Sequence, residues 1–160
     1  MKIRAAVKVI SVLLASATSG FAFSQSVDSA PKSVSKASGL VANGGSTAEL
    51  TTVAKSGDRV TVKVRFVESD PAVTGIYMLY GNLDKKAYEN DIYLLAGNKK
   101  YLLFKDSAGK PLAPGNVHLA AKGKVRGVWY GTFPAPPENE DIMLFLPNVE
   151  PLGPFSLSDS

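Results

Sequence analysis

The sequence contains no cysteine, one histidine and one tryptophan among its 160 residues. Without cysteine there is no disulfide and no thiol nucleophile, so the fold must depend on its hydrophobic core. A zinc site needs several histidine or cysteine ligands, and only His118 is available. No serine lies in a G-x-S-x-G motif that would supply the nucleophile of a triad using His118. We therefore expect no catalytic residue and no cofactor, and we interpret the protein as a non-enzyme.

The apparent excess of positive charge belongs largely to the N-terminus. The chain has 18 Lys+Arg and 14 Asp+Glu residues, a net charge of +4. Lys2, Arg4 and Lys8 precede a short apolar run that ends in small residues around Ser24, the order typical of a secretory signal peptide. Removal of residues 1–24 leaves 15 basic and 14 acidic residues, a net charge of +1. This near balance argues against a nucleic-acid partner, which requires a basic patch.

Export is therefore the predicted route, with cleavage near Ser24 and a periplasmic or secreted product. The apolar run is shorter than the roughly 20 residues that a membrane-spanning helix needs, so the mature chain is not expected to span a membrane. An uncleaved amphipathic anchor is the alternative. Segment 25–46 is rich in serine, alanine, glycine and lysine, which predicts a flexible leader. The folded domain is predicted to occupy 47–160.

Strand patterns dominate this domain. In 59–67, valines and Phe66 alternate with threonine, lysine and arginine, which predicts a strand with one buried and one solvated face. Gly97-Asn98 separates two apolar runs and is typical of a two-residue hairpin turn. Apolar residues show no sustained helical spacing. About seven to nine short strands between turn signals predict an all-β antiparallel sandwich or barrel.

The segment 124–137 is predicted to be a strand that carries the only tryptophan and ends at a proline cluster. Aromatic and β-branched residues suit a half-buried sheet, whereas Pro134, Pro136 and Pro137 cannot donate to a central ladder. A tryptophan in a small β-domain is usually its largest core side chain, and this is the interpretation favoured for Trp129. Stacking against a ligand is the alternative role.

With these strands placed, the chain resembles the small immunoglobulin-like domains of exported bacterial proteins. The resemblance covers 60–158 and depends on four stretches. They are 92–95 (Ile-Tyr-Leu-Leu), 99–103 (Lys-Lys-Tyr-Leu-Leu), the turn 106–112 and the proline-rich strand end 133–137. The resemblance implies an immunoglobulin-like β-sandwich, export, and a role in interaction or assembly. The absence of cysteine departs from the disulfide-linked members of that fold.

Aromatic side chains are the candidates for ligand binding. Six tyrosines are present, and an exposed group of two or three would form a platform for a sugar or a protein. Tyr88 lies in a polar connection and is the tyrosine most expected to be exposed. The candidate ligand-binding residues are Tyr88, Trp129 and Tyr130.

The densest carboxylates are Glu138, Glu140 and Asp141, which are candidates for a calcium site because calcium takes several oxygen ligands. Their spacing does not follow the D-x-[DN]-x-[DN]-G loop, and a solvated loop is the simpler interpretation. Glu138 and Glu140 are also a candidate carboxylate pair for glycoside hydrolysis, which would need a cleft that holds the sugar. No metal is therefore expected.

The sequence favours an exported, non-catalytic β-sandwich that mediates protein–protein interaction or envelope assembly. Its partner is expected to be an envelope or extracellular protein. The first predicted strand, 47–54, and the last, 155–157, are expected to be edge strands available for strand addition. The alternative is a module that binds carbohydrate or a small ligand through tyrosine and tryptophan side chains. The sequence leaves the oligomeric state open.

Overall fold

The computed structural model describes residues 36–157, all within one compact unit. The predicted signal peptide 1–24 lies outside them. Strands make up 51% of the structure and helix 5%, and every strand pairing is antiparallel, so the predicted all-β antiparallel class is confirmed. The described strands are β1 (Ala37–Leu40), β2 (Ser46–Ser56), β3 (Arg59–Glu68), β4 (Tyr77–Tyr80), β5 (Tyr93–Ala96), β6 (Lys99–Leu102), β7 (Val117–Leu119), β8 (Val125–Pro134), β9 (Ile142–Phe145) and β10 (Leu152–Phe155). One π-helical turn, Ala87–Asp91, precedes β5.

The first sheet has the strand order β1-β2-β3-β8. β2 and β3 form a long hairpin whose register runs from Ser46 opposite Glu68 to Ser56 opposite Arg59. Gly57 in the connecting turn has φ = +59°, a conformation that glycine adopts without a steric penalty. The valines of β3 and Phe66 are buried, as the alternating pattern predicted.

The second sheet has the strand order β10-β9-β5-β6. β5 and β6 are joined by the two-residue turn Gly97-Asn98, with Ala96 opposite Lys99, so the predicted hairpin is confirmed. β9 lies on the other side of β5 and places Phe145 opposite Tyr93.

Short backbone contacts join the two sheets at both edges. The backbone N–H of Glu150 donates to the Leu40 carbonyl at 2.9 Å, beside β1. At the opposite edge, Thr132 of β8 accepts a hydrogen bond from the Phe104 N–H at 2.9 Å and donates to the Leu112 carbonyl at 3.1 Å. Both edges of the first sheet are thus partly covered, which limits strand addition there.

A separate two-stranded sheet consists of β4 and β7. Its register places Met78 opposite His118, and both of these side chains are exposed. β7 continues into a loop whose Ala120 N–H donates to the Arg126 carbonyl at 2.7 Å, so the small sheet adjoins β8.

The inner faces of the sheets form one hydrophobic core with Trp129 as its largest fully buried side chain. Its indole Nε1 donates to the Tyr80 hydroxyl at 2.9 Å, and that hydroxyl donates to the Pro114 carbonyl at 2.7 Å. Gly131 lies directly below the ring, where an added Cβ would collide with Trp129. Gly131 therefore leaves room for the indole ring of Trp129, which fills the space that a side chain at position 131 would occupy.

The first and last described strands differ from the sequence prediction. β1 lies within 25–46, the predicted flexible leader, so the boundary predicted at 47 is too late. Ordering comes from pairing with β2 and from contacts with residues 148–150, neither of which local composition reveals. β2, predicted as an edge strand, lies inside the sheet for the same reason. The last described strand is Leu152–Phe155, and not 155–157 as predicted.

Candidate functional site

The three aromatic candidates from the sequence occupy three different environments. Trp129 is only 1% exposed and faces the core, so its role as a ligand-stacking residue is not supported. Tyr130 is 51% exposed because the next residue in a strand points to the opposite face of the sheet. Trp129 and Tyr130 therefore lie on opposite faces of the sheet and do not form one platform.

Tyr130 lies in a concavity of about 520 Å³ on the outer face of the first sheet. The register places Tyr130 opposite Lys63 and, two residue pairs further along, Val128 opposite Arg65. Thr51 and Thr52 of β2 line the far side. An exposed phenol, two cations and two hydroxyl groups thus meet in one depression.

The two cations of this depression differ in their partners. Arg65 Nη2 donates to Glu49 Oε2 at 2.7 Å, and Arg65 Nε reaches the same oxygen at 3.2 Å. Lys63 forms no ion pair with any residue in 36–157. Lys63 is therefore the cation that remains available to an acidic group of a ligand.

Tyr88 lies in a separate cleft of about 270 Å³ beside Leu83 and Pro111. Its hydroxyl donates to the Leu103 carbonyl at 2.9 Å, and burial raises the pKa of Tyr88 above its ordinary value. The Lys105 ammonium is 4.0 Å from the ring centroid. Tyr88 is half-buried and anchored by these contacts, so it does not form a joint platform with Tyr130.

The candidate calcium ligands do not converge. Glu138 pairs with Lys55, whose hydrogen bond holds the pKa of Glu138 below its usual range. Glu140 turns instead toward Gly97 in the β5–β6 turn. Within residues 36–157, no group of three histidine or acidic side chains is placed to hold a metal ion, and Asp141 joins no such group.

Sequence reasoning missed a second surface, on the outside of the second sheet. Five half-buried apolar side chains point outward from β5, β6 and β9, and we call this surface the apolar outer face. Its members are Tyr93, Leu95, Leu102, Met143 and Phe145. They lie on the opposite side of the strands from the buried core residues, since side chains alternate along a strand.

The apolar outer face is organised around a pair of stacked aromatic rings. The centroids of Tyr93 and Phe145 are 4.6 Å apart, and the ring planes differ by 13°. The Lys100 ammonium lies 4.0 Å from the Tyr93 centroid. The signal in the sequence was the absence of alternation in the apolar runs 92–96 and 142–146, which is typical of strands covered on both faces.

An ion pair between the buried Arg126 and the partly exposed Glu68 is the third feature that the sequence did not reveal. The ladder pairs Phe66 with Gly127 but Val67 with Val125, so Arg126 is an extra residue at a bulge. Its side chain is buried and donates to Glu68 Oε2 at 2.7 Å and to the Asp70 carbonyl at 3.3 Å.

The Arg126 hydrogen bond lowers the pKa of Glu68. The Nε and Nη1 atoms of Arg126 are buried without a hydrogen-bond partner. The same holds for the hydroxyl of Ser46, the first residue of β2. The arrangement joins the loop after β3 to the start of β8, which is a structural role.

Comparison of the chain with family models, with curated proteins and with solved structures finds no match. The likeness to immunoglobulin-like domains therefore stays a prediction beyond the antiparallel β-class. In residues 36–157 no helix combines the length and the hydrophobicity needed to cross a membrane.

Proposed function

We propose that this protein is a non-catalytic binding protein that docks a partner protein on the apolar outer face. The observation that carries the proposal is the composition of that face: five outward side chains on three adjacent strands are apolar, and two of them form an aromatic stack. In an antiparallel sheet with one solvated face, those positions are ordinarily polar.

Docking would remove the remaining exposed apolar surface from water. Each Å² of apolar surface that becomes buried contributes roughly 25 cal/mol, and aromatic residues concentrate binding energy in interfaces. Tyr93 and Phe145 are held in place by their mutual stacking, so little side-chain freedom would be lost when a partner binds.

The cellular location of the protein is part of the same proposal. The order of charged, apolar and small residues in 1–24 supports export, and the partner is then an envelope or extracellular protein.

Site-specific photo-crosslinking tests the docking surface. A photoreactive phenylalanine analogue would replace Leu95 or Leu102 in the protein produced at its native level in source cells. We expect discrete crosslinked species from both positions. The matched control is the analogue at Thr61, which faces outward from the first sheet. Crosslinking from Leu95 and Leu102 no stronger than from Thr61 would contradict the proposal.

A second candidate function is the binding of carbohydrate or another small ligand in the depression around Tyr130. The observation that favours it is the combination of an exposed phenol with the free cation Lys63 and two threonine hydroxyls in a cavity of about 520 Å³. Rings of sugars stack on aromatic side chains, and a lysine would suit an acidic sugar.

Calorimetric titration with neutral and uronic-acid oligosaccharides tests this second function. Binding that is lost in Tyr130→Ala and weakened in Lys63→Gln, but retained in Leu95→Lys, would assign the ligand to the first sheet. Absence of heat with every oligosaccharide, or equal loss in Leu95→Lys, would count against it.

A further inference from the structure

We propose that the protein occupying the apolar outer face is a second copy of this chain, related by a two-fold axis along β5. This inference rests on the proposed docking function and names its partner. β5 is the central one of the three strands that form the face, with β9 on one side and β6 on the other, and β10 continues the sheet beyond β9. Each of the three strands contributes outward side chains to it.

A two-fold axis along β5 keeps the strand direction and exchanges the two sides of the face. Tyr93 and Leu95 then lie over their own equivalents, and β6 of each copy lies over β9 of the other. Leu102 faces Phe145 of the second copy, and Met143 faces the aliphatic stem of Lys100, because Lys100 and Met143 both pair with Leu95. Stacked sheets of this kind lie about 10 Å apart, with their mean strand directions within about 30° of each other.

Charge at the rim of the face supports the same arrangement. Lys100 projects outward from β6, and Asp141 immediately precedes β9 on the outward side by the same alternation as Met143. Both lie toward the Ala96 end of β5, because Ala96 pairs with Lys99 and with Ile142. The two-fold axis brings Lys100 of each copy beside Asp141 of the other.

Both charges are available for this contact. Neither Lys100 nor Asp141 forms an ion pair with another residue in 36–157. In the single chain the Lys100 ammonium covers the Tyr93 ring. On association the lysine moves from the ring toward the carboxylate of the second copy, and Tyr93 becomes free to meet its equivalent.

A self-complementary surface of this kind gives a closed dimer, because the same patch serves both partners and no further copy can be added. The predicted contact is a sheet-on-sheet interface in which the two copies use identical residues.

Sedimentation velocity of the mature protein over a range of concentrations tests the inference. We expect a monomer–dimer equilibrium in the wild-type chain and a monomer in Leu95→Glu. The control Val128→Asp changes the outer face of the first sheet and is expected to leave the equilibrium unchanged. A wild-type chain that stays monomeric at its highest soluble concentration would overturn the inference.

Charge exchange provides the decisive measurement. Lys100→Glu and Asp141→Lys are each expected to weaken dimerisation about tenfold, since each change places like charges at both symmetry-related contacts. The double variant, with both changes, is expected to recover most of the wild-type affinity. Failure of the double variant to recover would overturn the proposed axis even if a dimer forms.

The photo-crosslinking of Leu95 separates this inference from the docking function itself. A crosslinked species with the mass of two copies supports both. A species containing a different protein supports the docking function and overturns the second copy as its occupant. Crosslinking no stronger than from the Thr61 control contradicts both.

Discussion

The outward side chains of the two main sheets differ in polarity. In β3 the buried valines alternate with Thr61, Lys63 and Arg65, so this strand is apolar inside and polar outside. Val128 and Tyr130 of β8 are the exposed apolar side chains beside those polar residues. In β5 and β9 the outward positions are apolar as well, and the sheet carries hydrophobic side chains on both faces. One core is enough to explain the first pattern. The second pattern is typical of a sheet that is covered on both faces, and the proposed interface would supply the second layer.

Leu94 and Leu95 give the largest expected difference, because these adjacent residues face opposite sides of β5. Leu94→Ala opens a cavity in the core and is expected to lower the free energy of unfolding by about 2–5 kcal/mol. Leu95→Ala removes a half-buried side chain and should cost well under half of that. Urea titration of both variants measures the comparison. Equal costs would mean that the second sheet already has a covered outer face within the single chain.

Glu68 pairs with Arg126, the residue at the bulge that interrupts the alternation of inward and outward side chains in β8. Glu68→Ala leaves the Arg126 guanidinium buried without its carboxylate, so it is expected to destabilise the fold more than Arg126→Met, which removes the buried charge. Urea midpoints of the two variants provide the measurement. A larger loss in Arg126→Met would show that the arginine stabilises mainly through its other contacts.

The same pair predicts a pH dependence. Because Arg126 lowers the folded-state pKa of Glu68, the stabilisation is present at neutral pH and is lost as the pH falls through that lowered pKa. Urea midpoints measured from about pH 6 to about pH 3 should fall less steeply in Glu68→Gln than in the wild-type chain. Parallel slopes would argue that other carboxylates account for the acid sensitivity.

Leu95→Lys alters the apolar outer face without entering the core. We expect weaker binding of a hydrophobic dye such as ANS and higher solubility, with the free energy of unfolding of the monomer changed by no more than about 1 kcal/mol. The corresponding change on the first sheet, Val128→Lys, serves as the control. Dye binding that falls only in Val128→Lys would reverse the comparison of the two outer faces.

The smallest expected effect on stability is that of Tyr130→Ser. This side chain is 51% exposed, so the free energy of unfolding should change by no more than about 0.5 kcal/mol. Thermal unfolding followed by circular dichroism would measure it. A cost comparable to that of a core substitution would show that Tyr130 packs as a structural residue and would weaken the second candidate function.

Much of the strand pattern was readable from local sequence. Alternation in 59–67 predicted β3 and its buried face, and Gly97-Asn98 predicted the hairpin between β5 and β6. The proline cluster marked the end of β8 at Pro134. These features depend on side-chain period and on the conformations open to glycine and proline, and both are properties of neighbouring residues.

The functional candidates were less predictable, because each depends on which side of a strand a residue occupies. Trp129 was expected in the core and is buried there, whereas the outward position of Tyr130 follows from the pairing of β8 with β3. Arg126 was overlooked because a single-residue bulge turns it inward, against the pattern of an exposed cation. Glu138, Glu140 and Asp141 are close in sequence, yet Glu138 pairs with Lys55 and the Glu140 carboxylate lies near Gly97.

The sequence by itself determined that this chain is antiparallel β without disulfides, since residue type and spacing set strand, turn and core preference. Only the tertiary structure decided that β1 joins the first sheet, that Arg126 is buried against Glu68, and that an apolar face remains outside the core. The physical reason is that pairing register and bulges are set by contacts between residues distant in sequence. A shift of one residue in register would exchange the inner and outer faces of any of these strands.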